Sequence, residues 1–221
     1  RSMTGVIVAQ VWLSFGFLPG IIAGVIFGIG LGLINGLLVT KLKINYFITT
    51  LGTMTLVRGL TLIATGGYNI TGLPIEYSYL GMGRLGGFPV SAIVWIAFIV
   101  IAQLTLKYTK YGQYVLSIGG NPRASWLSGI NVNRYTLATY AVAAFFASLG
   151  GIVLLSRVNQ ATMGAGTGYE LQAIAACIVG GLALEGGKGN ILHSVIGTLI
   201  LGMILNALQL IGVSSAFNDA V

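Results

Sequence analysis

The sequence predicts an all-α polytopic membrane protein, a single transmembrane domain over 1–221 with six to seven transmembrane helices. Three observations carry that prediction. The chain is 56% apolar and only 7% charged, where an ordinary soluble domain is about 25% charged. Six apolar stretches, near 20–40, 44–65, 89–106, 135–156, 169–184 and 191–212, are about as long as a helix crossing ~30 Å of hydrocarbon, and 3–18 reads as part of another. The charges are also sorted by side. With 107–134 placed in the cytoplasm and the spans alternating from it, Lys41, Lys43, Lys107, Lys110, Arg123, Arg134 and Lys188 fall inside, against Arg84 and Arg157 outside. This is the positive-inside asymmetry. The net charge of +7 is therefore topological. Nucleic acid is not expected as a partner, because no basic run is interleaved with aromatics on a soluble surface.

The 20–40 stretch carries glycine at positions 20, 24, 28, 32 and 36. Steps of four advance about 40° around a helix, so these glycines form an inclined groove into which a neighbouring helix can settle. Stretch 135–156 offers a similar row of small residues in Ala143, Ala147 and Gly151, and the Gly pairs at 150–151 and 180–181 are places for a helix to bend or break. The 20–40 helix is expected to be buried by this groove and not to line a solute pathway. Stretch 44–65 is the most polar span. Tyr46, Thr49 and Thr53 offer hydroxyls there, and Arg58 is the one strong charge well inside a span. An intramembrane Arg must snorkel, pair or face water. Asn206 and Gln209 on 191–212 are further candidates to line a pathway or to bond a neighbouring helix.

Segment 107–134, KYTKYGQYVLSIGGNPRASWLSGINVNR, has four basic residues and no carboxylate. Inside it lies a small helix with its own punctuation. Asn121 is placed to cap, Pro122 suits the first helical position, and Gly129 can close the helix in the left-handed conformation. About two turns cannot stand alone in water, so the helix is expected to dock onto a partner protein. Its contact residues are expected to be Ala124 and Leu127 on one face, with Trp126 and Ile130 beside them and Ser128 at its end.

No catalytic or energy-transducing signature accompanies these features. In 181–190, GLALEGGKGN, Leu182 stands where a phosphate-binding loop needs its first Gly, and Gly189 where it needs Ser or Thr. The segment is expected to be a tight cytoplasmic turn, with Glu185 and Lys188 at the membrane surface. No His-Glu-x-x-His helix or Gly-x-Ser-x-Gly elbow is present, so the chain is not expected to be an enzyme. Cys177 and His193 each stand alone, and no metal site is expected. Of the carboxylates Glu76, Glu170, Glu185 and Asp219, none is expected near the bilayer midplane, where an ion-coupled carrier normally needs one.

At this point four stretches carry a resemblance: 36–67 (GLLVTKLKINYFITTLGTMTLVRGLTLIATGG), the GGNPRASWLSGINVN portion of 112–133, GTGYELQAIAACIVGGLALEGGKG at 166–189, and GTLILGMILNALQLIGVSS at 197–215. Together they make the chain resemble the permease subunit of bacterial monosaccharide ABC importers, the ribose/xylose/autoinducer-2 group. The resemblance implies a protein of the bacterial plasma membrane with about ten helices, of which this chain, with both ends reading as truncated, holds the middle and late part. It also implies a homo- or heterodimer of permeases around a central pathway and a separate ABC ATPase that uses the ATP. A periplasmic or lipid-anchored solute-binding protein would deliver the solute, and this chain would bind no cofactor itself. The short helix at 122–128 would be the element that contacts the ATPase. The nearest alternatives are a branched-chain amino acid or nucleoside permease of the same broad type and, further off, a secondary transporter.

Overall fold

The computed structural model describes residues 2–71, 73, 78–162, 166, 168–183 and 186–211, with backbone alone for Ser2 and Gln209. The helices are α1 (Ser2–Phe15), α2 (Phe17–Thr40), α3 (Tyr46–Thr65), α4 (Tyr79–Met82), α5 (Val90–Tyr108), α6 (Lys110–Gly120), α7 (Pro122–Leu127), α8 (Val132–Val158), α9 (Tyr169–Val179) and α10 (Ile191–Leu210). Between α4 and α5 sits a two-stranded antiparallel hairpin, β1 (Arg84–Leu85) and β2 (Phe88–Pro89). Among the described residues α2, α3, α5, α8 and α10 are long and apolar enough to cross a membrane, and two shorter apolar helices fall at the other expected positions, 3–18 and 169–184. The all-α polytopic architecture read from composition is the one found. Apolar side chains such as Phe47, Ile63, Ile96 and Met203 are exposed, as suits a surface whose solvent is hydrocarbon.

The chain divides into two compact units, 1–96 with 131–165 and 97–130 with 166–221. In the first, α2 packs mainly against α8 and α1. The core gathers Val6, Val8, Ala9 and Trp12 of α1 with Ile152 and Leu155 of α8. The 3–18 stretch, expected to be part of a span, is thus the most buried helix of its unit.

The buried residues of α2 are its five row glycines, Gly20, Gly24, Gly28, Gly32 and Gly36. They serve two partners. Gly20 lies against the Trp12 ring and Gly24 against Val8 of α1, while Gly28, Gly32 and Gly36 receive Ser148, Ala144 with Tyr140, and Leu137 of α8. The register shows α2 and α8 antiparallel, so Lys41 and Lys43 lie at the same end of the unit as Arg134. The α8 row that enters the groove is Leu137, Tyr140, Ala144 and Ser148. Of the small-residue row read from the sequence on this helix, Ala143 is exposed and Gly151 buried. The Gly150–Gly151 pair does not break α8, which runs through it; Gly151 is buried there as a close-packing position.

The segments that carry Arg84 and Arg157, the two charges expected outside, meet at one end of this unit. Ile70 and Ala161 exchange both backbone hydrogen bonds (3.1 and 2.9 Å), and the Asn159 amide donates to Leu73 O at 3.3 Å. The Gly81 N–H donates to Ser156 Oγ at 2.9 Å, bringing α4 so close to α8 that a side chain at Gly81 would strike the Arg157 backbone.

In the second unit α9 packs on α10. A side chain on Gly180 would meet the His193 carbonyl, and one on Gly197 the Ala176 carbonyl, so the two backbones cross in direct contact. The Gly pair at 180–181 does end a helix: Gly180 caps α9 and Gly181 takes φ +84°. The span expected over 169–184 is consequently shorter as a helix, closing at Val179.

Candidate functional site: a capped helix pair outside the spans

The segment expected to bear the docking helix contains two helices. α5 ends at Tyr108, and extended backbone at Thr109 turns the chain. Thr109 Oγ1 accepts from Gly112 N at 3.3 Å and donates to Thr105 O at 2.6 Å. A side chain on Gly112 would strike the Leu106 backbone, so glycine permits α6 to start directly against the end of α5. Sequence reading had missed α6. Its signal was present in Tyr111, Tyr114, Val115 and Ile118 at i, i+3, i+4, i+7 behind a threonine cap.

Asn121 then separates α6 from α7. Its Oδ1 accepts from Ala124 N at 2.9 Å, with Pro122 at the first helical position. A cap of this kind contributes about 0.5–2 kcal/mol, a large share of what holds so short a helix. The helix stops at Leu127 with Ser128 as C-cap, one residue short of the expected 122–128. Gly129 takes φ +82°, its N–H donates to Trp126 O at 3.0 Å, and Ile130 N donates to Ser125 O at 3.1 Å. These bonds close a Schellman motif, which satisfies two orphan carbonyls. Asn131 caps α8 in turn, accepting from Arg134 N at 3.2 Å.

The outcome is a short, well-terminated helix whose apolar residues face outward. Ser125 is its one buried residue, and α7 rests on α6. Ala124 is exposed, as are Trp126 (66%) and Leu127 (73%); Ile130, just past the cap, is half-buried. Two large apolar side chains held open on a rigid turn are what a docking surface requires.

The residues expected along a solute pathway divide into groups. On α3, Thr49 is buried and its hydroxyl donates to Asn45 O at 3.0 Å. Thr53 Oγ1 donates to Asn35 Oδ1 of α2 at 2.6 Å, so this hydroxyl ties two helices together. Thr61, one turn pair further along the same stripe, donates to Val57 O at 2.8 Å and lies 3.2 Å from the Met3 sulfur of α1. Tyr46 and Arg58 are on the exposed side of α3. Asn206, in the other unit, is exposed on α10, and the side chain of Gln209 lies outside the described residues. Glu76, Glu185 and Asp219 lie outside them too, and among the described residues no three of His, Cys, Asp and Glu come together as a metal site would require.

Comparison with known proteins places these features. Residues 2–221 match the family described as "Branched-chain amino acid transport system / permease component". The chain is 46% identical to the ribose import permease protein RbsC of Bacillus subtilis over 189 residues, 85% of this chain and 59% of that protein. It is 40% identical to the RbsC of Escherichia coli K12 over all of this chain and 70% of that protein. It is 39% identical to the L-arabinose transport system permease protein AraH of E. coli K12, over 88% of this chain and 60% of that protein. The chain thus spans about three-fifths of the length of the B. subtilis relative. No solved structure gives a significant match. With its spans, its basic non-membrane segment and this match along its whole length, the chain belongs to the bacterial transport-permease family, as a multi-pass protein of the plasma membrane.

Proposed function

We propose that this chain is the pathway-forming permease subunit of an ATP-binding cassette importer for a monosaccharide, and that α7 is the element through which a separate ATPase drives it. The observation that carries the coupling reading is the exposure of Trp126 and Leu127 on a helix capped at both ends. The helix stands in a segment with four basic residues and no carboxylate, and a protein partner is the natural cover for this apolar pair. ATP is bound and used by that partner, and a second permease subunit and a solute-binding protein complete the assembly.

The solute class rests on the relatives. The family's description names branched-chain amino acids, whereas the similar proteins are named for ribose and L-arabinose; a monosaccharide is therefore the first choice and a branched-chain amino acid the second. Tyr46 and Arg58 on α3, with Asn206 and Gln209 on α10, remain the pathway candidates. The burial of Thr49 and the Thr53–Asn35 bond favour a packing role for those two.

Introducing Leu127→Asp or Ala124→Arg into the full-length subunit tests the coupling. A charge placed in a buried apolar contact is expected to reduce co-purified ATPase and solute uptake at least tenfold, while membrane abundance stays normal. Undiminished ATPase together with normal uptake would refute the assignment. Uptake of labelled ribose and labelled leucine by the assembled transporter decides the solute class.

A further inference from the structure

The 181–190 turn, which holds no nucleotide signature, meets the other end of the coupling segment. The last turn of α6 lies backbone to backbone on it. A Cβ on Gly119 would fall on Gly187 N and within 2.9 Å of Gly187 Cα, and a Cβ on Gly187 would fall on Gly120 N and Cα. One on Gly186 would sit 3.3 Å from Gly119 Cα. The turn reaches this position because Gly186 and Gly187 take φ +86° and +75°, values open to glycine and costly for other residues. Gly186 N donates to Ala183 O (3.0 Å) and Ala183 N to Lys188 O (3.2 Å), which closes the turn on itself.

On its far side the turn leads into α9 and α10, themselves locked by the Gly180–His193 and Gly197–Ala176 approaches. The packing of α7 on α6, the backbone contact of α6 with the turn and the chain's own continuity thus connect α7 to two membrane helices. Backbone held at this distance has no side chain to yield, so displacement at one end is passed on and not absorbed.

We propose that Gly119 and Gly187 are positioning residues, through which movement of α7 under its ATPase is delivered to α9 and α10. The inference rests on the reading of α7 as the ATPase dock and gives the glycine-rich turn its role in that coupling. Gly119 and Gly120 supply a matched pair for the test, because a side chain on Gly120 meets nothing within 4 Å. In the full-length permease assembled with its ATPase and solute-binding protein, Gly119→Ala and Gly120→Ala are compared by co-purified ATPase, ATP hydrolysis and solute uptake.

The expected result for Gly119→Ala is wild-type ATPase content with at least a fivefold fall in solute moved per ATP hydrolysed, and for Gly120→Ala no change. A merely structural role would lower uptake and hydrolysis together and leave their ratio intact, and a wild-type ratio in Gly119→Ala overturns the proposal. A second measurement needs no added bulk at the contact. In a Cys177→Ala background, Gly120→Cys and Lys188→Cys are joined by a short bis-maleimide. A unit that moves as one body transports normally when joined; loss of uptake on joining overturns the proposal. Failure of the docking reading shows separately, as full ATPase retention by Leu127→Asp, whatever Gly119→Ala does.

Discussion

Placing one methyl group on Gly32 should force α2 away from α8. A Cβ there would lie 2.6 Å from both the Ala144 Cβ and the Tyr140 carbonyl oxygen, and 3.2 Å from the Tyr140 carbonyl carbon, where ordinary contact begins at 3.4 Å. The obstacles are a backbone carbonyl and a methyl fixed to the backbone, so no rotamer change relieves the clash and the helices must part. A gap of about 0.5–1 Å forfeits a quarter to a half of each ~0.1–0.2 kcal/mol dispersion contact along the seam, and overpacking of this kind costs about 1–3 kcal/mol. Gly30 is the control: it belongs to the same helix, and a Cβ there meets nothing within 4 Å. Replacing either glycine gains a similar ~1 kcal/mol of helix propensity, so this contribution cancels and the packing cost remains. At roughly 2–4 °C per kcal/mol for a chain of this size, Gly32→Ala should melt about 2–12 °C below Gly30→Ala. The measurement is loss of the monodisperse size-exclusion peak of the detergent-purified full-length subunit on heating. Equal melting of the two variants would refute the groove packing. Gly28→Ala should fall between them, since its nearest obstacle is the Ser148 hydroxyl, which can turn at the cost of its 2.8 Å bond to Ala144 O and leaves only the Ser148 Cβ, at 3.0 Å, to give way.

Thr53→Val should lower stability by about 0.6 kcal/mol, the average for interhelical hydrogen bonds in a membrane protein, and by no more than ~1.7, with uptake per folded molecule unchanged; a double-mutant cycle with Asn35→Leu showing no coupling energy would contradict the bond. Asn121→Ala should remove about 0.5–2 kcal/mol of local cap, read as reduced ATPase retention at normal abundance, with Asn121→Asp restoring it; equal retention by Asn121→Ala and the wild type would count against the cap's importance. For topology, single cysteines at Ser128 and Leu85 in a Cys177→Ala background should label from inside and outside respectively. Leu85 serves as the outer probe because it is exposed. Labelling of position 128 from outside intact cells would reverse the assigned orientation.

Much of the architecture follows from one-dimensional pattern. Length and hydropathy locate spans because a bilayer accepts only runs of apolar residues with internally satisfied backbone. The small helix at 122–127 was legible because caps are local chemistry: Asn121, Pro122 and Gly129 act within a few residues of themselves. Helix α6 was equally local, and its i, i+3, i+4, i+7 pattern was hidden only by the polarity of its surroundings. The hairpin at Arg84–Pro89, with Gly86 and Gly87 at φ +58° and +88°, carried a comparable short-range signal.

What the sequence by itself could not determine is which surfaces meet. A row of five glycines announces close approach but not to whom, and the fold divides it between α1 and α8. Thr53 reads as a hydroxyl open to solute until the position of Asn35 is known. Gly119 and Gly187 are far apart along the chain, and no local rule links them. In each case the deciding quantity is a distance between residues remote in sequence, which is set by the packing of whole helices and not by the chemistry of any one segment.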